Sequence, residues 1–144
     1  MFNKILVVCV GNICRSPTAE RLLKQLKPQL IVDSAGVGAL VGREANAMAT
    51  EVAATNGVSL QDHQAQQLTR ELCSQYDLIL VMEKKHIESV TRIAPEARGK
   101  TMLLGQWQGQ IEIPDPYKQS KEAFEFAYQL IEQSCQAWLI SFNQ

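Results

Sequence analysis

Cys9 and Arg15 are separated by five residues in Cys9-Val-Gly-Asn-Ile-Cys-Arg15-Ser16-Pro17, a spacing that can set a nucleophile beside an anion clamp. The stretch leaves the apolar run Ile5–Val10 and enters a segment where Ala19, Leu22, Leu23 and Leu26 recur at helical spacing, so it reads as a strand-to-helix loop. Gly11 and Asn12 tolerate positive φ, which lets the amides of Val10, Gly11, Asn12, Ile13, Cys14 and Ser16 curl toward one centre. Ser16 is expected to cap the helix, with Pro17 at its first position, where no donor is needed. The positive end of that helix and a guanidinium able to grip two oxygens would add to the attraction for a tetrahedral oxyanion. The same field favours a thiolate at Cys9. The chemistry this suits is attack of sulfur on phosphorus, with the equatorial oxygens held by loop amides and Arg15.

Such an attack expels an oxygen that needs a proton. Asp115, in Glu112-Ile-Pro-Asp115-Pro116-Tyr117, is kept out of helix and central strand by its flanking prolines and is the candidate donor. As a carboxylate it would then activate water against the thiophosphate, and the rate would be bell-shaped in pH. The plainer reading of Pro-Asp-Pro is a rigid surface turn, which these residues also favour.

Positioning these groups requires a scaffold, and the chain alternates. Short β-rich runs at Ile5–Val10, Leu30–Asp33, Asp77–Met82 and Thr101–Leu104 are separated by helical periodicities. Beyond the helix through Leu26, one runs from Ala45 through Ala53 and is ended by Gly57. A short helix opens at Thr69, another spans Lys84 to Ala94 before Pro95, and the longest covers Ser120 to Phe142. The pattern predicts a single three-layer α/β domain over residues 1–144, a four-stranded parallel sheet with helices on both faces. In such sheets ligands bind beyond the carboxyl ends of the strands, where the Cys9 loop falls. No repeat or linker composition divides the chain.

A formal charge of −1, from 14 basic and 15 acidic residues, provides no global field for nucleic acid or an anionic membrane. No segment is long and apolar enough for membrane insertion, and the N-terminus lacks a secretory core, so a cytoplasmic location is expected. Cysteines there are thiols more than bridges. Cys9 and Cys14 have four residues between them and no second close Cys/His pair, which argues against zinc, and no metal or cofactor is expected. Cys73 and Cys135 fall on apolar helical positions and read as core.

The stretch "CVGNICRS" near the N-terminus and "DPY" near the C-terminus resemble the low-molecular-weight protein-tyrosine phosphatases. "VDSAG" at 32–36, "DHQAQQLT" at 62–69, "YDLILVME" at 76–83 and "IPDPY" at 113–117 follow the family's order, so the resemblance covers nearly the whole chain. It is nearest the bacterial Wzb-type branch, whose members dephosphorylate tyrosine autokinases controlling capsule and exopolysaccharide export. The resemblance implies Cys9 as nucleophile, Arg15 as phosphate clamp and Asp115 as general acid and base, acting on a phosphotyrosine protein substrate such as an autokinase. It further implies that Ser16 hydrogen-bonds the thiolate and that Ser16, Ser34 and His63 hold Asn12 in a strained conformation. Ser34 also reads as a strand end and His63 as a satisfied loop histidine. Leu40 and Tyr117 are implied as walls around a phenyl ring, at a depth that suits phosphotyrosine over phosphoserine. Gln66 stands where many relatives have Arg, and Lys118 where eukaryotic members have an aromatic. Cys14 is implied as a disulfide partner that shields Cys9 from irreversible oxidation.

Two rivals use the same motif. A thiol-linked arsenate reductase needs a relay of two further cysteines, and Cys73 has no nearby partner. A non-catalytic phosphotyrosine-binding module would need neither Cys9 nor Asp115. The segment Ala94–Thr101 only superficially resembles a nucleotide P-loop, since Ala94 replaces its first glycine, and the glycines of 36–42 have the wrong spacing for a dinucleotide fingerprint. Lys84, Lys85 and His86 read as a solvated helix start.

Overall fold

The computed structural model describes residues 2–143; Met1 and Gln144, the outermost residues of the expected domain, lie outside the described residues. Four strands, β1 (Lys4–Cys9), β2 (Ile31–Gly36), β3 (Leu78–Val81) and β4 (Thr101–Leu103), form one sheet in the order β2-β1-β3-β4. Every pairing is parallel, as strands joined through crossover helices require. The helices are α1 (Arg15–Leu26), α2 (Ala47–Thr55), α3 (Arg70–Cys73), α4 (Lys84–Ile93) and α5 (Lys121–Phe142).

Side chains alternate across the strands and so build two cores. Ile5, Val7, Leu78 and Leu80 pack with Leu22, Leu23, Val52, Ile131 and Trp138 from α1, α2 and α5. On the other face, Leu6, Val8, Ile79 and Val81 pack with Cys73 of α3, Val90 of α4 and Ala97. The expected three-layer α/β arrangement is therefore present, with strands buried on both faces as parallel sheets demand.

The boundaries differ in instructive places. β2 continues past Asp33 to Gly36, because Ser34, Ala35 and Gly36 pair with Val7, Val8 and Cys9. Pro95 does more than stop α4, since it opens a 3-10 turn over Pro95–Lys100 that delivers the chain into β4. Thr69 and Ser120 cap α3 and α5 through their hydroxyls, and Asn46 caps α2 through its side-chain carbonyl oxygen.

This topology sets the ends of β1 and β3 side by side, with Val8 paired to Val81. The loop after β1 and the start of α4 consequently share one end of the sheet. The amide of Ile113 donates to Met82 O at 3.0 Å and brings the Asp115 loop to the same place. Among the described residues, no helix is long and apolar enough to cross a membrane.

Candidate active site

Cys9 ends β1, and the next five residues turn sharply before α1 begins at Arg15. Asn12 is the residue that makes the turn, with φ of 59° and no exposed surface. Gly11, expected to share that freedom, does not take a positive φ. A non-glycine residue in this region is strained and persists where its surroundings over-determine it. Here they do. Asn12 Nδ2 donates to Ser16 Oγ at 2.8 Å and to Ser34 Oγ at 3.0 Å, and Oδ1 accepts from the Gln66 amide at 2.9 Å. Its carbonyl accepts from His63 Nε2 at 2.6 Å.

Gly36 closes the space behind the loop. A side chain there would run into the carbonyl oxygen of Val10. Gln66, in the position where Arg was the family expectation, bonds through Nε2 to Ser34 O at 2.9 Å. The packing around that change is satisfied.

Ser16 does not cap α1. The helix starts two residues earlier than expected, Cys14 occupies the cap position without a side-chain bond, and Pro17 is the third helical residue. The Ser16 hydroxyl lies instead 2.9 Å from Cys9 Sγ. Because its oxygen already accepts from Asn12, its proton is available to the sulfur.

A cavity of about 180 Å³ opens over the loop, lined by Cys9, Val10, Gly11, Ile13, Cys14, Arg15, Gly38, Leu40, Asp115 and Tyr117. Nine candidates from the sequence therefore share one wall. Asn12, Ser16, Ser34 and His63 stand behind it, with their side chains bonded to one another and to the loop. Burial pushes the Cys14 thiol up to about 12, with the neighbouring Cys9 and Asp115 charges adding to the effect, so Cys14 is a protonated wall residue at neutral pH.

Arg15 is buried and anchored through Nη1. Nη1 donates to Glu83 Oε2 at 2.7 Å and to Ile113 O at 2.8 Å, and Nη2 lies 3.7 Å from the half-exposed Asp115 carboxylate. Burial alone would raise the Glu83 carboxyl, but the bound guanidinium, His86 and Lys85 bring it below its ordinary value. The other edge of the guanidinium is left for an anion.

The family described as low molecular weight phosphotyrosine protein phosphatase matches residues 4–144. The chain belongs to that family. Among solved structures, Wzb of Vibrio vulnificus in complex with benzylphosphonate is 66% identical, with a TM-score of 0.97, covering 98% of this chain and 99% of that one. The tyrosine phosphatase Wzb from Escherichia coli K30 in complex with sulphate is 54% identical, with a TM-score of 0.97 and 99% of each chain covered. The low molecular weight protein-tyrosine-phosphatase Wzb of Salmonella typhimurium is 57% identical over 143 residues, which is 99% of this chain and 96% of that protein. The chain is thus a low molecular weight protein-tyrosine phosphatase, with the α/β fold of the Wzb structures.

An arsenate-reductase relay finds no counterpart in this phosphatase. Cys73 and Cys135 pack in different cores on opposite faces of the sheet, so they cannot pair.

Three residues of the site went unread in the sequence. Glu83 and His86 lie in what reads as a solvated charged helix start, yet His86 is 1% exposed and Glu83 binds Arg15. Their signal was a Glu three residues before a His at a helix N-terminus, the spacing of a capping pair. Glu20, buried in α1, accepts from Ser34 Oγ at 2.6 Å and thereby fixes Ser34 as acceptor toward Asn12. Nothing local marks it, because its partner is 14 residues away.

Proposed function

We propose that Cys9 Sγ attacks the phosphorus of a phosphotyrosine while Asp115 gives its proton to the departing phenolate oxygen. The P–O bond breaks, an S–P bond forms, and phosphocysteine results. Asp115, now a carboxylate, takes a proton from water; the oxygen attacks phosphorus, phosphate leaves and the Cys9 thiolate returns. Amides of residues 10–16, the N-terminus of α1 and Arg15 hold the equatorial oxygens throughout. Ser16 donates to the sulfur, and Asn12, Ser34 and His63 hold the loop in shape.

The single observation behind this reading is the convergence of Cys9, Arg15 and Asp115 on one cavity. Leu40 and Tyr117 are among its lining residues and offer apolar surface to a phenyl ring. The Vibrio vulnificus relative is described with benzylphosphonate, a phenyl ring one carbon from a phosphonate, which supports that placement. By likeness to the Wzb proteins, the substrate is a tyrosine autokinase of capsule or exopolysaccharide export, met in the cytoplasm.

The test is turnover of p-nitrophenyl phosphate with EDTA present, alongside Cys9→Ser and Asp115→Asn. The serine variant is expected to be inactive, and the asparagine variant to lose two or more orders of magnitude in kcat. Full activity in Cys9→Ser would end the phosphocysteine mechanism. Cys9→Ser as a bait in lysate should retain a phosphotyrosine protein; retention only of phosphoserine proteins would refute the substrate class.

A further inference from the structure

His86 is a buried imidazole, 1% exposed, one residue-contact removed from the proposed chemistry. Its Nδ1 accepts from the Glu83 amide at 3.1 Å, which places the ring proton on Nε2. That Nε2–H has no hydrogen-bond partner, and it faces Glu83 Oε2 at 3.5 Å. A buried donor left unsatisfied is costly and rarely retained without a use. The oxygen it faces is the one that binds Arg15 Nη1 at 2.7 Å. Lys85 lies against the other oxygen, at 3.6 Å.

We infer that His86 is a positioning residue that orients the Arg15 guanidinium through Glu83. The inference rests on the reading of Arg15 as the phosphate clamp. The imidazole holds the Glu83 backbone amide through Nδ1 and sets Nε2–H against the Glu83 carboxylate at 3.5 Å. With Glu83 so held, Nη1 of Arg15 is anchored and the opposite edge of the guanidinium faces the cavity. Burial and the adjacent Arg15 charge push the His86 pKa down to about 4, so the ring is neutral and in the required tautomer at neutral pH.

Two substitutions separate this role from simple helix capping. In His86→Asn the amide oxygen occupies the place of Nδ1 and keeps the backbone contact, but nothing replaces Nε2. In His86→Gln the amide nitrogen occupies the place of Nε2 and reaches the carboxylate. The readout is the competitive inhibition constant for inorganic phosphate, which does not depend on the folded fraction, together with KM and kcat for p-nitrophenyl phosphate and the melting temperature. His86→Asn is expected to raise the phosphate constant about tenfold, as loss of an orienting partner does elsewhere, while His86→Gln stays within about twofold of the parent. In a Glu83→Gln background the Asn change should add nothing, because its effect passes through Glu83.

If His86→Asn leaves phosphate inhibition within about twofold of the parent, or if Asn performs better than Gln, the ring only caps α4 and the inference is overturned. Arg15→Lys serves as the control for the underlying reading. If it leaves phosphate inhibition unchanged, Arg15 is not the clamp, whatever His86 does. If it weakens inhibition while His86→Asn does not, the positioning role alone fails.

Discussion

Ser16 Oγ lies 2.9 Å from Cys9 Sγ, and the hydroxyl is oriented because Asn12 Nδ2 already occupies its oxygen at 2.8 Å. A hydrogen bond to a charged sulfur contributes about 1.5–3 kcal/mol, the size of one to two orders of magnitude in rate. Ser16→Ala is therefore expected to lower kcat by about 10–100-fold and to slow alkylation of Cys9 by iodoacetate at fixed pH. Because Asn12 Nδ2 would also lose a buried acceptor, Ser16→Ala should lower the melting temperature as well. Unchanged alkylation in Ser16→Ala would show that the hydroxyl does not serve the sulfur.

Gly36 gives a second test. A methyl group there meets the Val10 carbonyl and, at 3.1 Å, the Asn12 amide, both backbone atoms that cannot swing aside. Gly36→Ala should lose activity by about two orders of magnitude and stability by about 2 kcal/mol, through overpacking against the loop. Gly99→Ala, where a methyl meets nothing within 4 Å, is the matched control and should leave activity unchanged. Equal behaviour of the two variants in turnover and thermal melts would contradict the account.

How far the chain could be read follows from how local each signal is. The Cys9 to Arg15 loop is legible because a strand, a turn and a helix follow one another within about twenty residues, each with its own periodicity. The sheet is legible for the same reason: Ile79, Leu80 and Val81 form an apolar run that only a strand buried on both faces explains. Ser16 shows the limit. Its type and place before Pro17 fit a cap, but its hydroxyl is taken by Cys9 and Asn12, seven and four residues before it. Glu83 and Glu20 are charged residues whose partners Arg15 and Ser34 lie 68 and 14 residues away, and periodicity carries no such information.

Cys14 shares the cavity wall with Cys9, and family likeness casts it as the partner in a protective disulfide. With its thiol pushed up to about 12, it should escape iodoacetamide at neutral pH while Cys9 reacts, giving one modified cysteine by mass spectrometry. After peroxide treatment, the parent should regain most activity with dithiothreitol and Cys14→Ser much less. Equal recovery in both would remove the protective role.

His86 makes stability depend on pH with a definite sign. In the fold, burial and the Arg15 charge depress its pKa to about 4, from an ordinary 6.5. Between these values the unfolded chain binds a proton that the folded chain refuses, so stability is full above about 6.5 and falls as pH drops toward 4. The loss from this one group is on the order of 2 kcal/mol after screening by its charged neighbours. Asp77, lowered by the Asn3 and Lys4 amides, and Glu83 subtract only at more acid pH. Urea melts from pH 7.5 to 4.5 should show the slope, and His86→Gln should flatten it; an identical slope would assign the titration elsewhere.

His63 and Gln66, which hold Asn12 from behind, come from residues 56–69, where the chain forms neither a helix nor a strand longer than a single bridge. The Cys9 loop thus leans on a segment without helix or ladder bonds of its own, and such segments open first on warming. Enzymatic activity should consequently fade at a lower temperature than the far-UV helical signal, and inorganic phosphate, by gripping the loop from the front, should narrow the interval between the two transitions.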